Sequence, residues 1–224
     1  KLIIAHELRW LGSVGIASAA NTRNIPVYLI SHNTHSITNN RASDYVQLIN
    51  GYGLIYSKLA SHLIIQSPSA QSFINKNYKS VNTINYQPLM WGNNTIKEYE
   101  KKNNTSFTIL FADTVKNLSM IPYIYETSIT YMKNLIAIIN SINFSENTKL
   151  VIRFRASAEI DLEVLENILN KNKNIQIKTD GNFIEDLKNA DLFISHSSTT
   201  IEEALYERKP VALIGGNNCY YHLP

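Results

Sequence analysis

The sequence predicts an α/β chain with two parallel sheets, the second of them doubly wound. Apolar segments of strand length alternate with amphipathic segments of helix length, at the spacing of right-handed βαβ units. Two of the early strand segments have few polar interruptions, which is typical of strands covered on both faces of a parallel sheet. A stretch rich in Asn, Lys and turn formers interrupts the alternation between Gln87 and Ser106.

The first half of the chain contains four predicted strands with three helices between them. The strands lie in KLIIA, IPVYLISHN, HLIIQS and VNTINY. The intervening helices are predicted within HELRWLGSVGIASAANTRN, from Tyr45 to Leu59, and in SAQSFINKN. Pro26 suits the first position of its strand, where a missing N–H is tolerated.

The second half repeats this alternation with five strands. They are predicted in FTILFAD, KLVIRFR, NIQIKT, DLFISH and PVALIGG. The helices are predicted from Tyr123 to Ile142 and in DLEVLENILNK, NFIEDLKNA and TIEEALYER. Each helix follows a strand, as a doubly wound sheet requires.

These segments give a first domain over residues 1–88, a linker over 89–106 and a second domain over 107–224. The chain opens on a strand and closes shortly after one. We therefore expect the first domain to be incomplete and the chain to derive from a longer protein.

Composition excludes several classes of function. The formal net charge is only +3 and no arginine-rich patch accompanies it, which disfavours nucleic acid but leaves an anionic small molecule open. Cys219 is the single cysteine, and no Cys/His cluster has metal-ligand spacing, so neither a disulfide nor a metal site is expected. Without a signal segment or a membrane-length apolar run, we expect a cytoplasmic protein.

A run of hydroxyl residues marks the most informative site. Ser197, Ser198, Thr199 and Thr200 follow a predicted strand and precede a predicted helix. In a parallel sheet this position lies at the ligand-binding edge, where hydroxyls and helix N–H groups suit a phosphate. Alternatively, Thr199 caps the helix and Glu202 closes a capping box.

The helix after this run has one apolar face and one acidic position of interest. Ile201, Ala204 and Leu205 share a face that should pack on the sheet. Glu203 lies off that face, near the first turn. Its carboxylate suits either the helix dipole or the two hydroxyls of a ribose, and the residues alone leave both roles open.

Two arginines alternate in KLVIRFR, which predicts that Arg153 and Arg155 share one face at the end of a strand. Arginine binds phosphate through two parallel hydrogen bonds, so a donor phosphate is one partner. An ion pair with Glu159 or Asp161 is the alternative.

Histidine and carboxylate residues end several predicted strands. His32 and His35 end one, and His32 has a side chain suited to general-base chemistry. Glu7 is a second candidate base. His196 ends another strand, where it contacts phosphate or sugar or serves a structural role. We expect Asp113 to contact a sugar hydroxyl or to cap a helix.

The segment NADLFISHSSTTIEEALYERKPVALIGG resembles the donor site of GT-B glycosyltransferases, in particular the bacterial group that builds capsule and teichoic-acid type surface carbohydrates. The resemblance implies two Rossmann-like domains. It also implies that Ser198, Thr199 and Thr200 bind the donor diphosphate, that Glu203 holds the ribose, and that the turn at Asp180 and Gly181 borders the base.

The resemblance further implies a metal-independent transferase, whose nucleotide-activated donor is a substrate rather than a cofactor. It would move a sugar or a polyol phosphate to a glycan or lipid-linked acceptor, at the inner membrane face if it associates peripherally with the membrane. Two alternatives stay open: a sugar-nucleotide epimerase or hydrolase of the same fold, and a non-catalytic subunit that binds a nucleotide sugar.

Overall fold

The computed structural model describes residues 1–31, 37–38, 41–86, 106–113, 128–155, 160–169, 172–196, 198, 200–214 and 220–221. The chain divides into two compact units. The first comprises Lys1–Asn93 with Leu223–Pro224, and the second comprises Asn94–His222. The predicted linker, residues 89–106, lies outside the described ranges except for Ser106.

The first unit contains a parallel sheet in the order β1-β2-β4-β5. Its elements are β1 (Ile3–Ala5), α1 (Leu11–Asn21), β2 (Val27–Ile30), β3 (Ile37–Thr38), α2 (Arg41–Gly51), β4 (His62–Ile65), α3 (Pro68–Asn77) and β5 (Thr83–Asn85).

The predicted helix from Tyr45 to Leu59 is wrong at its end, because α2 stops at Gly51. Gly53 has a φ of 81°, a left-handed conformation that a helix cannot continue through. Its N–H donates to the carbonyl oxygen of Tyr56 at 2.6 Å, which folds the chain into a turn instead.

The helices of the first unit pack on one face of its sheet. Val27, Leu29, Leu63 and Ile65 alternate along β2 and β4 and are buried with Phe73 of α3. The intervening residues form the opposite face. The register there aligns Ile4 with Tyr28 and Ile64 with Ile84, and Ile4 is 61% exposed.

The second unit contains a five-stranded parallel sheet in the order β10-β9-β6-β7-β8. Its elements are β6 (Phe107–Ala112), α4 (Ser128–Ser141), β7 (Thr148–Arg153), α5 (Leu162–Leu169), β8 (Ile175–Lys178), α6 (Phe183–Asn189), β9 (Leu192–Ser195), α7 (Thr200–Tyr206), β10 (Val211–Leu213) and β11 (Tyr220–Tyr221). Part of the predicted helix from Tyr123, residues 123–127, lies outside the described residues.

This sheet is buried on both faces, as predicted for a doubly wound sheet. Ile109 and Phe111 of β6 pack with α4 and α5, whereas Leu110 and Ala112 pack with α6 and α7. On α7, Ile201 and Ala204 are buried as predicted. Leu205 is 53% exposed, so its predicted packing on the sheet is wrong.

The strand order reverses between β6 and β9. From β6 the chain proceeds outward through β7 to β8, and β9 then returns to pair with the other edge of β6. The loops that follow β6 and β9 therefore lead to helices on opposite faces of the sheet. Ligands of doubly wound sheets bind at this type of position.

No helix among the residues that the structure describes is both long enough and apolar enough to cross a lipid bilayer.

Candidate functional site

A buried pair, Asp113 and His196, bridges the two strands at which the order reverses. Asp113 follows β6 and His196 follows β9. The ring Nδ1 of His196 lies 2.6 Å from Asp113 Oδ2, and the backbone N–H of His196 donates to the same oxygen at 3.1 Å. Both side chains are at most 4% exposed. One carboxylate oxygen thus fixes both the ring and the backbone of His196.

Helix α4 supplies the second contact of this ring. Asn134 Nδ2 lies 2.8 Å from His196 Nε2. In this orientation the amide nitrogen donates to Nε2, and Nδ1 carries the proton that faces Asp113. The sequence analysis did not identify Asn134. Its position one helical turn after Tyr131 places it on the same side of α4 as that buried residue, and this spacing could have indicated a contact in the interior.

Tyr131 of α4 is a further buried polar residue, whose phenol interacts electrostatically with Asp113. Burial and the negative charge of Asp113 raise the pKa of the Tyr131 phenol well above its ordinary value. Its hydroxyl is buried and has no hydrogen-bond partner among the described residues. Tyr131 therefore stays protonated at neutral pH.

Two of the four predicted hydroxyl residues are described, and both lie directly after the Asp113–His196 pair. Ser198 is 8% exposed, and its Oγ accepts a hydrogen bond from the Thr200 N–H at 3.3 Å. The Thr200 hydroxyl is buried and has no partner in the described part of the chain. Ser197 and Thr199 lie outside the described residues, and so does the predicted capping box.

Glu203 lies half-buried in the first turn of α7. Burial and the neighbouring charge of Glu202 raise the pKa of Glu203 above its ordinary value. A partly desolvated carboxylate is a good acceptor for hydroxyl groups of a ligand.

Arg153 binds the protein rather than projecting freely at the sheet edge. Its guanidinium donates to the carbonyl oxygens of Asp180 and Gly181, the second at 3.0 Å, and to the Asp186 carboxylate at 3.1 Å. Lys178 contacts the other oxygen of Asp186 at 2.5 Å. Arg153 thus forms an ion pair with Asp186, which α6 brings alongside β7, and not with the predicted Asp161. Contact between Arg153 and a donor phosphate stays a prediction.

Arg155 is exposed and lies beyond the end of β7 at Arg153. The alternation continues past the end of β7, because Phe154 is buried and its N–H donates to the Lys178 carbonyl oxygen at 2.9 Å. Arg153 and Arg155 both occupy the less buried positions of this alternation, which agrees with the predicted shared face. Contact between Arg155 and a donor phosphate stays a prediction.

The turn held by Arg153 borders a polar cleft. The cleft has a volume of 330 Å³ and is lined by the end of β8 and the start of α6, including Thr179, Asp180, Gly181 and Glu185. Asn182 caps α6 by accepting the N–H of Ile184 at 2.9 Å.

Of the candidate bases in the first unit, only Glu7 is described, and His32 and His35 lie outside the described residues. Arg9 Nη2 lies 2.5 Å from Glu7 Oε1. Burial opposes ionisation of Glu7, but hydrogen bonds from Arg9 and Trp10 and the charges of Arg9 and His6 outweigh it and lower the pKa. A lowered pKa weakens a carboxylate as a general base.

The residues that the structure describes include no group of three histidine, cysteine or acidic side chains that could hold a metal ion.

No protein-family model matches the sequence, and no curated protein matches it. Solved structures are similar in fold. The MnaA–UDP complex of S. aureus matches 98% of this chain and 57% of its own, with a TM-score of 0.59 and 15% identity. UDP-GlcNAc 2-epimerase from Neisseria meningitidis bound to UDP-GlcNAc matches 94% of this chain and 58% of its own, with a TM-score of 0.60 and 13% identity.

A UDP-N-acetylglucosamine 2-epimerase of Listeria monocytogenes gives a TM-score of 0.58 at 13% identity and covers 97% of this chain. These similarities show the fold: the chain has two Rossmann-like units of the GT-B class, as predicted. The chain spans somewhat more than half the length of these proteins, between 56% and 58%.

Proposed function

We propose that the protein binds a nucleoside-diphosphate sugar at the carboxyl ends of β6 and β9 and acts on the bond between the sugar and the diphosphate. The observation that carries this proposal is the position of Ser198 and Thr200. They follow β9 where the strand order reverses, and the Thr200 hydroxyl is buried without a partner among the described residues. A hydroxyl in that state suits a ligand oxygen.

The diphosphate would be held by hydroxyl groups and one cation. Ser197, Ser198, Thr199 and Thr200 would supply donors, and the exposed guanidinium of Arg155 would supply charge. Such donors stabilise a departing diphosphate without a metal ion. The Asp113 carboxylate lies at the same end of the sheet as Ser198 and Thr200. One of its oxygens accepts two hydrogen bonds from His196, and these bonds reduce the repulsion between the carboxylate and a bound phosphate.

The ribose would be held by Glu203. Its pKa is raised by burial and by the charge of Glu202. Two ribose hydroxyls could donate to its oxygens and offset that cost.

Glycosyl transfer is the first candidate reaction, supported by the resemblance of residues 190–216 to donor sites of surface-carbohydrate transferases. A base would take the proton of an acceptor hydroxyl. The acceptor oxygen would bond to the anomeric carbon as the bond to the diphosphate breaks, and the nucleoside diphosphate would leave. The acceptor would be a glycan or a lipid-linked sugar at the inner membrane face.

His32 is the proposed base, with Glu7 second because Arg9 lowers its pKa. Replacing His32 with Ala should lower turnover at least about a hundredfold and leave donor binding unchanged. Full turnover of this variant would exclude His32 as the base.

Epimerisation of the donor sugar is the second candidate, favoured because the similar structures include the UDP-GlcNAc 2-epimerase of Neisseria meningitidis. UDP-GlcNAc is therefore the first donor to test. A non-catalytic subunit that binds the donor is the remaining alternative.

Incubation of the full chain with UDP-GlcNAc and other nucleotide sugars, with and without glycan acceptors, separates these functions. Transferase activity gives nucleotide release that depends on the acceptor, and epimerase activity gives an isomeric donor by chromatography. Binding in a calorimeter without either product indicates a subunit. Failure of the chain to bind any nucleoside diphosphate would refute the proposal.

A further inference from the structure

We infer that Asp113 and His196 are a positioning pair, which fixes the end of β9 so that Ser198 and Thr200 face the donor diphosphate. This inference rests on the proposed function for the identity of the ligand. The pair would act without touching the donor, because the His196 residue is 2% exposed and both ring nitrogens face protein side chains.

The Asp113–His196 contact lies just beyond the point where the backbone pairing of β6 and β9 ends. The register between β6 and β9 runs from Ile109 opposite Leu192 to Phe111 opposite Ile194. Two residues further along each strand, the Asp113 carboxylate accepts both N–H groups of His196. A side chain thus holds together two segments that no longer pair through their backbones.

Ser198 lies two residues after His196, and Thr200 begins α7. Freedom at His196 would therefore pass directly to both hydroxyls. Asn134 of α4 restricts the ring from the other side. The His196 imidazole is therefore held by Asp113, which follows β6, and by a residue of helix α4. A donor site that depends on hydroxyl positions requires this restriction, because small displacements weaken preorganised contacts.

The same two strands provide a matched control at their opposite ends. Asp191 Oδ2 accepts the N–H of Thr108 at 2.7 Å and ties the start of β9 to the start of β6. Asp191 and Asp113 therefore make the same type of contact between the same strands. Only Asp113 lies at the ligand-binding edge.

The experiment compares Asp113→Ala, Asp191→Ala, His196→Ala and His196→Asn in the full chain. His196→Asn retains a side-chain N–H near the position of Nδ1, so it should rescue part of the contact with Asp113. Hydrogen exchange of residues 192–206 without ligand measures the order of the segment, and calorimetry with UDP measures the function of the site.

We expect Asp113→Ala and His196→Ala to speed amide exchange in residues 195–204 at least about tenfold and to weaken UDP binding by a similar factor. His196→Asn should recover most of the affinity. Asp191→Ala should loosen the start of β9 but change the dissociation constant for UDP less than about twofold.

Unchanged exchange in Asp113→Ala and His196→Ala would overturn the inference, and so would equal losses of UDP affinity in Asp113→Ala and Asp191→Ala. If the wild-type chain binds no nucleoside diphosphate, the proposed function fails by itself. The exchange data then still decide whether the pair orders residues 195–204.

Discussion

The guanidinium of Arg153 lies 3.1 Å from the carboxylate of Asp186, and the same group holds the carbonyl oxygens of a turn one strand away. The Arg153 side chain is 16% exposed and that of Asp186 is 11% exposed. Arg153 therefore connects β7, the turn at Asp180 and Gly181, and α6.

Replacement of Arg153 with Met should lower the free energy of unfolding by about 1–3 kcal/mol, because Asp186 and two carbonyl oxygens lose a donor. Arg153→Lys should recover only part of this loss, since one ammonium cannot reproduce the planar fork. Urea denaturation measures both effects. Arg155→Met is the control and should stay within about 0.5 kcal/mol of wild type. Equal stability of Arg153→Met and wild type would contradict the role assigned to Arg153.

Arg155 should affect binding instead of stability. Arg155→Ala should raise the dissociation constant of the nucleotide donor about tenfold or more, because one charge-assisted contact to phosphate is lost. Calorimetry with UDP tests this expectation. Lys149→Ala removes an exposed cation from the amino-terminal part of the same strand and should leave binding unchanged. A dissociation constant unaffected by Arg155→Ala would remove Arg155 from the site.

Glu203 should make stability depend on pH. Its raised pKa means that the folded state binds a proton more readily than the unfolded state. The resulting stabilisation is complete below the unfolded pKa and is lost as the pH rises through the folded pKa. Relative to wild type, Glu203→Gln should therefore gain stability at neutral pH and lose this advantage in mild acid. Thermal unfolding at pH values from about 4 to about 7, where carboxyl groups with a raised pKa titrate, measures the difference between the two proteins.

The same variant tests the ribose contact. Glu203→Gln should weaken UDP binding and reduce the preference for UDP over its 2′-deoxy form, because an amide oxygen accepts more weakly than a carboxylate. An unaltered preference would show that Glu203 does not bind the 2′-hydroxyl.

Gly53 should be intolerant of any side chain. Its φ is 81°, and a Cβ placed there would lie 2.6 Å from the carbonyl oxygen of Leu8 and would also meet Arg9. Gly53→Ala should therefore destabilise the first unit by about 1–3 kcal/mol.

Gly12 and Gly15 in α1 provide the opposite case. Apart from α1 itself, a Cβ at either position would meet no atom of the described residues within 4 Å. Their replacement with Ala should raise the free energy of unfolding by about 0.5–1 kcal/mol each. Urea denaturation of these variants beside Gly53→Ala checks the difference in sign, and destabilisation by all three would contradict the packing described for α1.

The sequence predicted the strands and helices well because their signals are local. Apolar runs gave β6 and β9, and amphipathic spacing gave α5 and α7. The end of α2 was misjudged because the turn at Gly53 depends on the Leu8 N–H, which donates to the Gly53 carbonyl oxygen at 2.7 Å from a distant part of the chain.

The candidate site was predictable only in part. Ser198 and Thr200 form a local motif, so one segment of sequence sufficed to find them. The contact between Asp113 and His196 joins residues 83 positions apart, and the contact between Arg153 and Asp186 spans 33. Partners at these distances depend on strand order, which periodicity alone does not determine.

The pairing of β9 with β6 also affects how the chain folds during its synthesis. When β6 leaves the ribosome, the strand that will cover one of its edges has not yet been synthesised, and two further strands must emerge first. Parallel pairings between such distant segments form slowly, and an uncovered edge invites association with other chains. Refolding from denaturant should therefore be most efficient at low protein concentration, and cells that overproduce the chain should benefit from added chaperones.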